Sequence, residues 1–266
     1  MQRIYYGKNE NQFGELLLPE TKGPHPVAVV IHGGFWKSEF DLDLTREIAM
    51  DLTADGWATW NIEYRRLGED NGGWSGTFYD AAAAMDHLLK IEEEFDLDIA
   101  RVVPIGHSAG GHFALWLAGR KNLPSTSELY KKNPLLPAAV VSLAGISDLA
   151  TMHDIHAFRD QELAKPADNP TAELMGGSPI EKPQRYREGS PKEMLPLSTS
   201  QVLFHGSLDV NVPVGMSDDY HDWAENMGDP VKYVRLTDVE HFMFTDPSTR
   251  AWSKVKEEME LLRKYL

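Results

Sequence analysis

None of the 266 residues is a cysteine, so a disulfide framework, a thiolate nucleophile and a cysteine-based zinc site are all excluded. No apolar run approaches the ~20 residues of a membrane-spanning helix. The start, Met1 to Gly7, lacks the apolar stretch of a signal peptide. No Gly-x-Gly pair and no Walker-type lysine loop occur, which removes support for a nucleotide enzyme. Positive charge is scarce as well. Lys and Arg number 26 against 41 Asp and Glu, and the net charge of −15 would repel nucleic acid and anionic membrane. Solubility accounts for that charge better than a cationic partner does, and a cytoplasmic protein is the expectation.

What is present is a foldable core, with 42% hydrophobic residues. The continuous run Val27–Ile31 predicts a strand buried on both faces. Further strands are expected near Arg3–Tyr6 and Phe13–Leu18, and over Trp57–Ile62, Arg101–Ile105, Ala138–Leu143, Gln201–Gly206 and Val231–Leu236. Helices are expected over Leu42–Asp55, Phe78–Phe95, His112–Ala118 and Ser248–Tyr265. Alternating strands and helices imply a mostly parallel sheet covered on both sides, in one domain over 1–266. The stretch 147–196 breaks the rhythm. It is rich in Pro, Gly and charge, and is expected to be a small cap insertion with short helical fragments at most.

Ser108 proposes the chemistry. It sits in Gly106-His107-Ser108-Ala109-Gly110, between a predicted strand and a predicted helix, which is the Gly-x-Ser-x-Gly elbow pattern in its required context. Glycines flank the serine because the turn is so tight that side chains there would collide. A serine hydroxyl needs a base oriented by a carboxylate, and in this arrangement the acid and then the base follow the serine in the chain. Asp209, just after the strand Gln201–Gly206, is the expected acid; Asp148 and Asp238 are rivals. His241, in the loop after the last strand, is the expected base. His107 belongs to the elbow, His112 lies one turn into the helix, and His205 ends a strand and is expected only to pack near the site. His153 and His156 with Asp154 have a metal-like spacing, for which a solvated insertion is the better account, so no metal and no cofactor are expected. The segment His32-Gly33-Gly34-Phe35-Trp36 follows the strand Val27–Ile31 where an oxyanion hole would form. Its donors are expected to be the N–H groups of Gly34 or Phe35, joined by that of Ala109.

Together these segments resemble the α/β-hydrolase superfamily, and within it the small esterases with a His-Gly-Gly-x-Trp segment: acetyl and feruloyl esterase-like proteins and kynurenine formamidases. Glu63-Tyr64-Arg65, Gly176-Gly177-Ser178-Pro179, Tyr186, Ser190-Pro191, Gly206 and Pro213 also match, so the resemblance spans nearly the whole chain. One departure is Phe35, where lipase-type oxyanion segments commonly carry a third glycine. The resemblance implies an α/β-hydrolase fold and a serine carboxylesterase acting on a small-molecule ester. Ser108 would be the nucleophile, His241 the base and Asp209 its orienting acid. The alternatives are an arylformamidase acting on an N-formyl aryl substrate, using the same machinery, and a hydrolase fold kept as a non-catalytic binding module. Trp36, Trp74, Phe35, Met152, Phe158 and Met175 are candidates to line the substrate pocket, and ordinary core packing is the competing account of each. The sequence leaves the oligomeric state open, a homodimer included. Because the base acts in its neutral form, activity is expected to rise through pH ~6–7, and a rate profile peaking in acid would remove His241 from that role.

Overall fold

The computed structural model describes residues 1–163, 166 and 168–266. Strand β3 (His25–Ile31) is buried at every residue, and the cause is visible in its two faces. Val27, Val29 and Ile31 join one apolar cluster while Ala28 and Val30 join a second on the other side. A strand covered on both faces cannot alternate with polar residues, hence the unbroken β-branched run. The other strands are β1 (Gln2–Tyr5), β2 (Phe13–Leu17), β4 (Ala58–Ile62), β5 (Leu97–His107), β6 (Ala139–Leu143), β7 (Ser200–Gly206) and β8 (Val231–Leu236). They form one eight-stranded sheet in the order β1-β2-β4-β3-β5-β6-β7-β8. β1 and β2 run antiparallel at one edge, and every pairing from β4 to β8 is parallel.

Helices α1 (Asp43–Ala54) and α8 (Arg250–Tyr265) cover one face through Ile48, Leu52, Trp252 and Val255. Helices α2 (Gly76–Phe95), α3 (Ala109–Gly119) and α7 (Gly215–Asn226) cover the other through Met85, Leu88, Phe113 and Tyr220. This is the expected α/β-hydrolase fold.

The topology places the site. From β3 the chain moves outward to β4, then returns to β5 on the opposite side of β3. The loops leaving β3 and β5 therefore diverge, and the crevice at their carboxyl ends is where open α/β sheets bind ligands. Ile31 pairs with Gly106, which brings Gly33 level with Ser108.

Three details differ from the sequence expectation. β5 begins at Leu97, because its pairing with β3 slips between Pro26 and Val27 and hides the charged Asp98–Arg101 stretch from any simple alternation. α2 begins two residues early, at Gly76. The segment between β6 and β7 holds more than short fragments: α4 (Leu149–Glu162) has 14 residues and is followed by α5 (Pro170–Met175) and α6 (Pro183–Gly189). Capping supports these helices where periodicity is weak. The Asp148 carboxylate accepts from the N–H groups of Ala150 and Thr151, and Asn169 accepts from Ala172 just before Pro170. Ala164, Lys165 and Ala167 of that segment lie outside the described residues. Among the described residues no helix is long and apolar enough to cross a membrane.

A Cβ on Gly106 would stand 2.1 Å from the Gly110 carbonyl oxygen, and one on Gly110 would stand 2.0 Å from the Ile31 carbonyl oxygen. Both obstacles are backbone and cannot swing away. Gly106→Ala and Gly110→Ala are each expected to lose more than about 2 kcal/mol of stability in urea melts; a loss under about 0.5 kcal/mol would show that the turn relaxes freely.

Candidate active site

Ser108 lies between β5 and α3 with φ 58° and ψ −117°, a conformation that strains any residue with a Cβ. The surroundings fix it. Its N–H donates to Leu143 O at 2.8 Å, and its own carbonyl accepts from His112 N at 3.0 Å. Ala109 opens α3, so its N–H has no partner within the helix and is free for a reacting oxygen. The β3 loop reaches the same point. A Cβ on Gly33 would lie 3.0 Å from Ser108 Cβ, and Gly34, Phe35 and Trp36 all take positive φ, at 100°, 49° and 59°. The three consecutive turns carry the backbone sharply away from β3 past the serine.

The expected acid and base follow β7 and β8, farther along the sheet. His241 Nδ1 donates to Asp209 Oδ2 at 2.6 Å. Asp209 Oδ1 accepts from the N–H groups of Asn211 and Val212 at 2.9 and 2.8 Å, and Oδ2 also faces His205 Nε2 at 3.2 Å. Burial alone would raise this carboxyl. The hydrogen bonds from His205, His241 and Val212 outweigh it and hold Asp209 well below the usual carboxylate range. His241 is tied to the elbow by His107, whose Nε2 donates to the His241 carbonyl at 2.9 Å while the two rings lie 4.4 Å apart. No hydrogen bond joins the Ser108 hydroxyl to His241, a contact that commonly tightens only with substrate.

The rival acids are engaged elsewhere. Asp148 caps α4 and pairs with Lys192, and Asp238 is exposed beside Arg250. His153 contacts Asp154, while the ring of His156 meets the Phe35 ring edge-on at 5.2 Å.

The pocket candidates scatter. Trp36 is fully buried with its ring against His112, and Met152 and Met175 belong to the larger apolar cluster. Trp74 packs on Phe78 and donates from its indole to Glu128. Phe158 is 66% exposed, so the structure does not seat it in a buried pocket. A helix with little amphipathic periodicity gives no sequence signal of which way such a residue points. Val210, next to Asp209 in the chain, is exposed, and half-exposed Phe242 meets the His241 ring edge-on at 5.1 Å.

Two supporting residues were not legible as such. Glu63, at the end of β4, accepts from His32 Nε2 at 2.9 Å and from Leu42 N at 3.1 Å, and Tyr64 OH donates to His32 O at 2.9 Å. Both ring nitrogens of His32 face oxygen acceptors, Glu63 and the Gly33 carbonyl, so the pair anchors the base of the β3 loop. Burial raises the Glu63 carboxyl, but His32, Arg66 and the Tyr64 N–H bring it below its ordinary value. Its signal in the sequence was a carboxylate closing a buried strand. His205 is the second, in direct contact with the acid rather than merely near it.

The BD-FAE family model matches residues 15–224, and the chain belongs to that family. No curated protein matches the sequence significantly. Among solved structures, a truncated carbohydrate esterase from gut microbiota superposes with a TM-score of 0.81 at 20% identity, over 99% of this chain and 96% of that one. A thermophilic esterase from the Planctomycetes species Thermogutta terrifontis, solved with propionate bound, gives 0.77 at 18% identity over 99% and 93%. An acetyl ester-xyloside bifunctional hydrolase from Caldicellulosiruptor lactoaceticus gives 0.74 at 19% identity over 99% and 94%. At these identities the likeness is one of fold.

Two fully enclosed histidines add to the acid sensitivity of this architecture. Burial pushes His107 down to about 3, helped by neighbouring His241, and pushes His112 down to about 4. Both fold in the neutral form, whereas the unfolded chain protonates them near the ordinary ~6.5. Their contribution is therefore complete above pH ~6.5 and drains as pH falls toward 4, at up to ~1.4 kcal/mol per unit for each ring. Urea melts at pH 7, 5.5 and 4.5 are expected to show that loss, and His112→Gln is expected to lose less between pH 7 and 4.5 than the parent; equal losses would contradict a neutral His112.

Proposed function

We propose that the chain is a serine carboxylesterase that hydrolyses small, short-acyl esters through an acyl-serine intermediate. The observation that carries the reading is the Asp209–His241 pair held by His107 against the strained Ser108 turn. His241 Nε2 takes the Ser108 proton as Oγ attacks the ester carbonyl. The oxyanion is met by the N–H of Ala109 and one from Gly34 or Phe35, each such donor typically worth about 10²–10³ in rate. The imidazolium then protonates the leaving alcohol, and water repeats the sequence to release the acid and free serine. Asp209 holds the Nδ1 proton throughout and stays ionised.

Short acyl groups fit the crowding. Ser108 is only 2% exposed, Gly33 leaves no room beside it, and the fully buried Trp36 closes the β3 loop behind. The acetyl and propionate groups named for two proteins of the same fold agree with that size. The segment 147–196 would act as the cap, with His156 on α4 facing Phe35. The esterase from Thermogutta terrifontis has also been solved phosphoramylated by tabun, and an activated serine here would likewise take an organophosphorus group. No observation favours the N-formyl amide or the non-catalytic alternative.

Turnover of p-nitrophenyl acetate is expected to exceed that of the octanoate, and Ser108→Ala is expected to lose at least ~10³-fold in kcat together with fluorophosphonate labelling. Full activity in Ser108→Ala would end the assignment. A preference for the octanoate would end the short-acyl part alone.

A further inference from the structure

His205 has no role in the reaction as written, yet it is completely buried against the acid. Its Nε2 lies 2.9 Å from the Val212 carbonyl and 3.2 Å from Asp209 Oδ2, and its Nδ1 lies 2.7 Å from Ser217 Oγ on α7. Both neighbours of Nε2 are acceptors, so that nitrogen carries a proton, and Nδ1 is left to the Ser217 hydroxyl. The same carboxylate oxygen thus accepts the His241 N–H and lies 3.2 Å from the His205 Nε2–H group, whose hydrogen bond goes to the Val212 carbonyl.

Resting on the assignment of Asp209 and His241 above, we propose that His205 is a positioning residue for the hydrolysis, with Ser217, His205, Asp209 and His241 forming one contiguous row of polar contacts behind the nucleophile. Two effects follow from the shared oxygen. The Asn211 and Val212 N–H groups hold only Oδ1, so His205 is the second anchor that stops the carboxylate plane from turning away from His241. It also draws negative charge from Oδ2, which moderates how strongly Asp209 stabilises the imidazolium formed during each step. The titratable groups around this carboxylate are His205 from the end of β7, His241 from the loop after β8 and His107 from the end of β5. Among the described residues no lysine or arginine forms an ion pair with Asp209.

The test is the pH profile of kcat/KM on p-nitrophenyl acetate for His205→Leu, His205→Gln and Ser217→Ala. In His205→Leu the carboxylate serves His241 alone, the imidazolium gains stability, and the acid limb is expected to move up by about half a pH unit or more. Lost anchoring is expected to lower kcat about tenfold with KM within about twofold. His205→Gln, whose amide N–H can reach the same oxygen, is expected to restore the parental limb. Ser217→Ala removes the donor that strengthens the Nε2–H group, and it is expected to give a smaller upward shift, which decides the matter should His205→Leu not fold. Parental profiles in both His205→Leu and Ser217→Ala would overturn the role of His205 while leaving a Ser108-dependent enzyme intact. Activity independent of Ser108 would instead overturn the underlying assignment.

Discussion

The close approach of two backbones, unbuffered by any side chain, governs this molecule. β3 ends against the turn that carries Ser108, and the contact is so tight that a single methyl on Gly110 would meet the Ile31 carbonyl oxygen. Everything chemical follows from that seam. The turn must be strained to pass it, the helix it starts must point its free N–H toward it, and the β3 loop must bend away through three positive φ angles. Strain of this kind, of order 1–3 kcal/mol per residue, persists only where packing on every side outweighs it. The two apolar clusters flanking the sheet provide that packing.

Around the seam, histidine is used in four different electrostatic settings. His32 faces two acceptors and pairs with Glu63 to anchor the loop. His107 is held neutral by burial and serves as a strut to the His241 backbone. His205 lies against Asp209, and His241 donates to the same carboxylate from the loop after β8. Identical side chains are separated by what lies 3 Å from each ring nitrogen, and not by their own chemistry.

Much of this was legible from residues alone, because the rules involved are local. The buried runs of β3, β6 and β7 and the glycines around Ser108 each reflect constraints within a few residues. Asp209 and His241 could be placed because each follows a predicted strand whose end must lie at the same edge of a parallel sheet. The remainder depended on contacts between distant segments. That Phe158 faces solvent depends on how α4 is rolled against α5 and α6, which its pattern does not encode. The partners of Glu63 and His205 lie on other strands and loops, so their neighbours could not be read from the chain. The length of α4 was missed because side-chain caps, rather than an apolar stripe, define its start.

The glycine seam has a consequence for how such a protein can diversify. The wall formed by Gly33 and the Ser108 turn admits no added atom, so selection cannot tune substrate choice there without losing the fold. Elsewhere the chain is less confined: Val210 and Phe242 stand open to solvent in the loops after β7 and β8, and α4 arrives from a separate excursion of the chain. Adaptation to new alcohols is thereby confined to positions away from the seam, while the seam itself stays fixed. That division lets a single scaffold change its diet without renegotiating its chemistry.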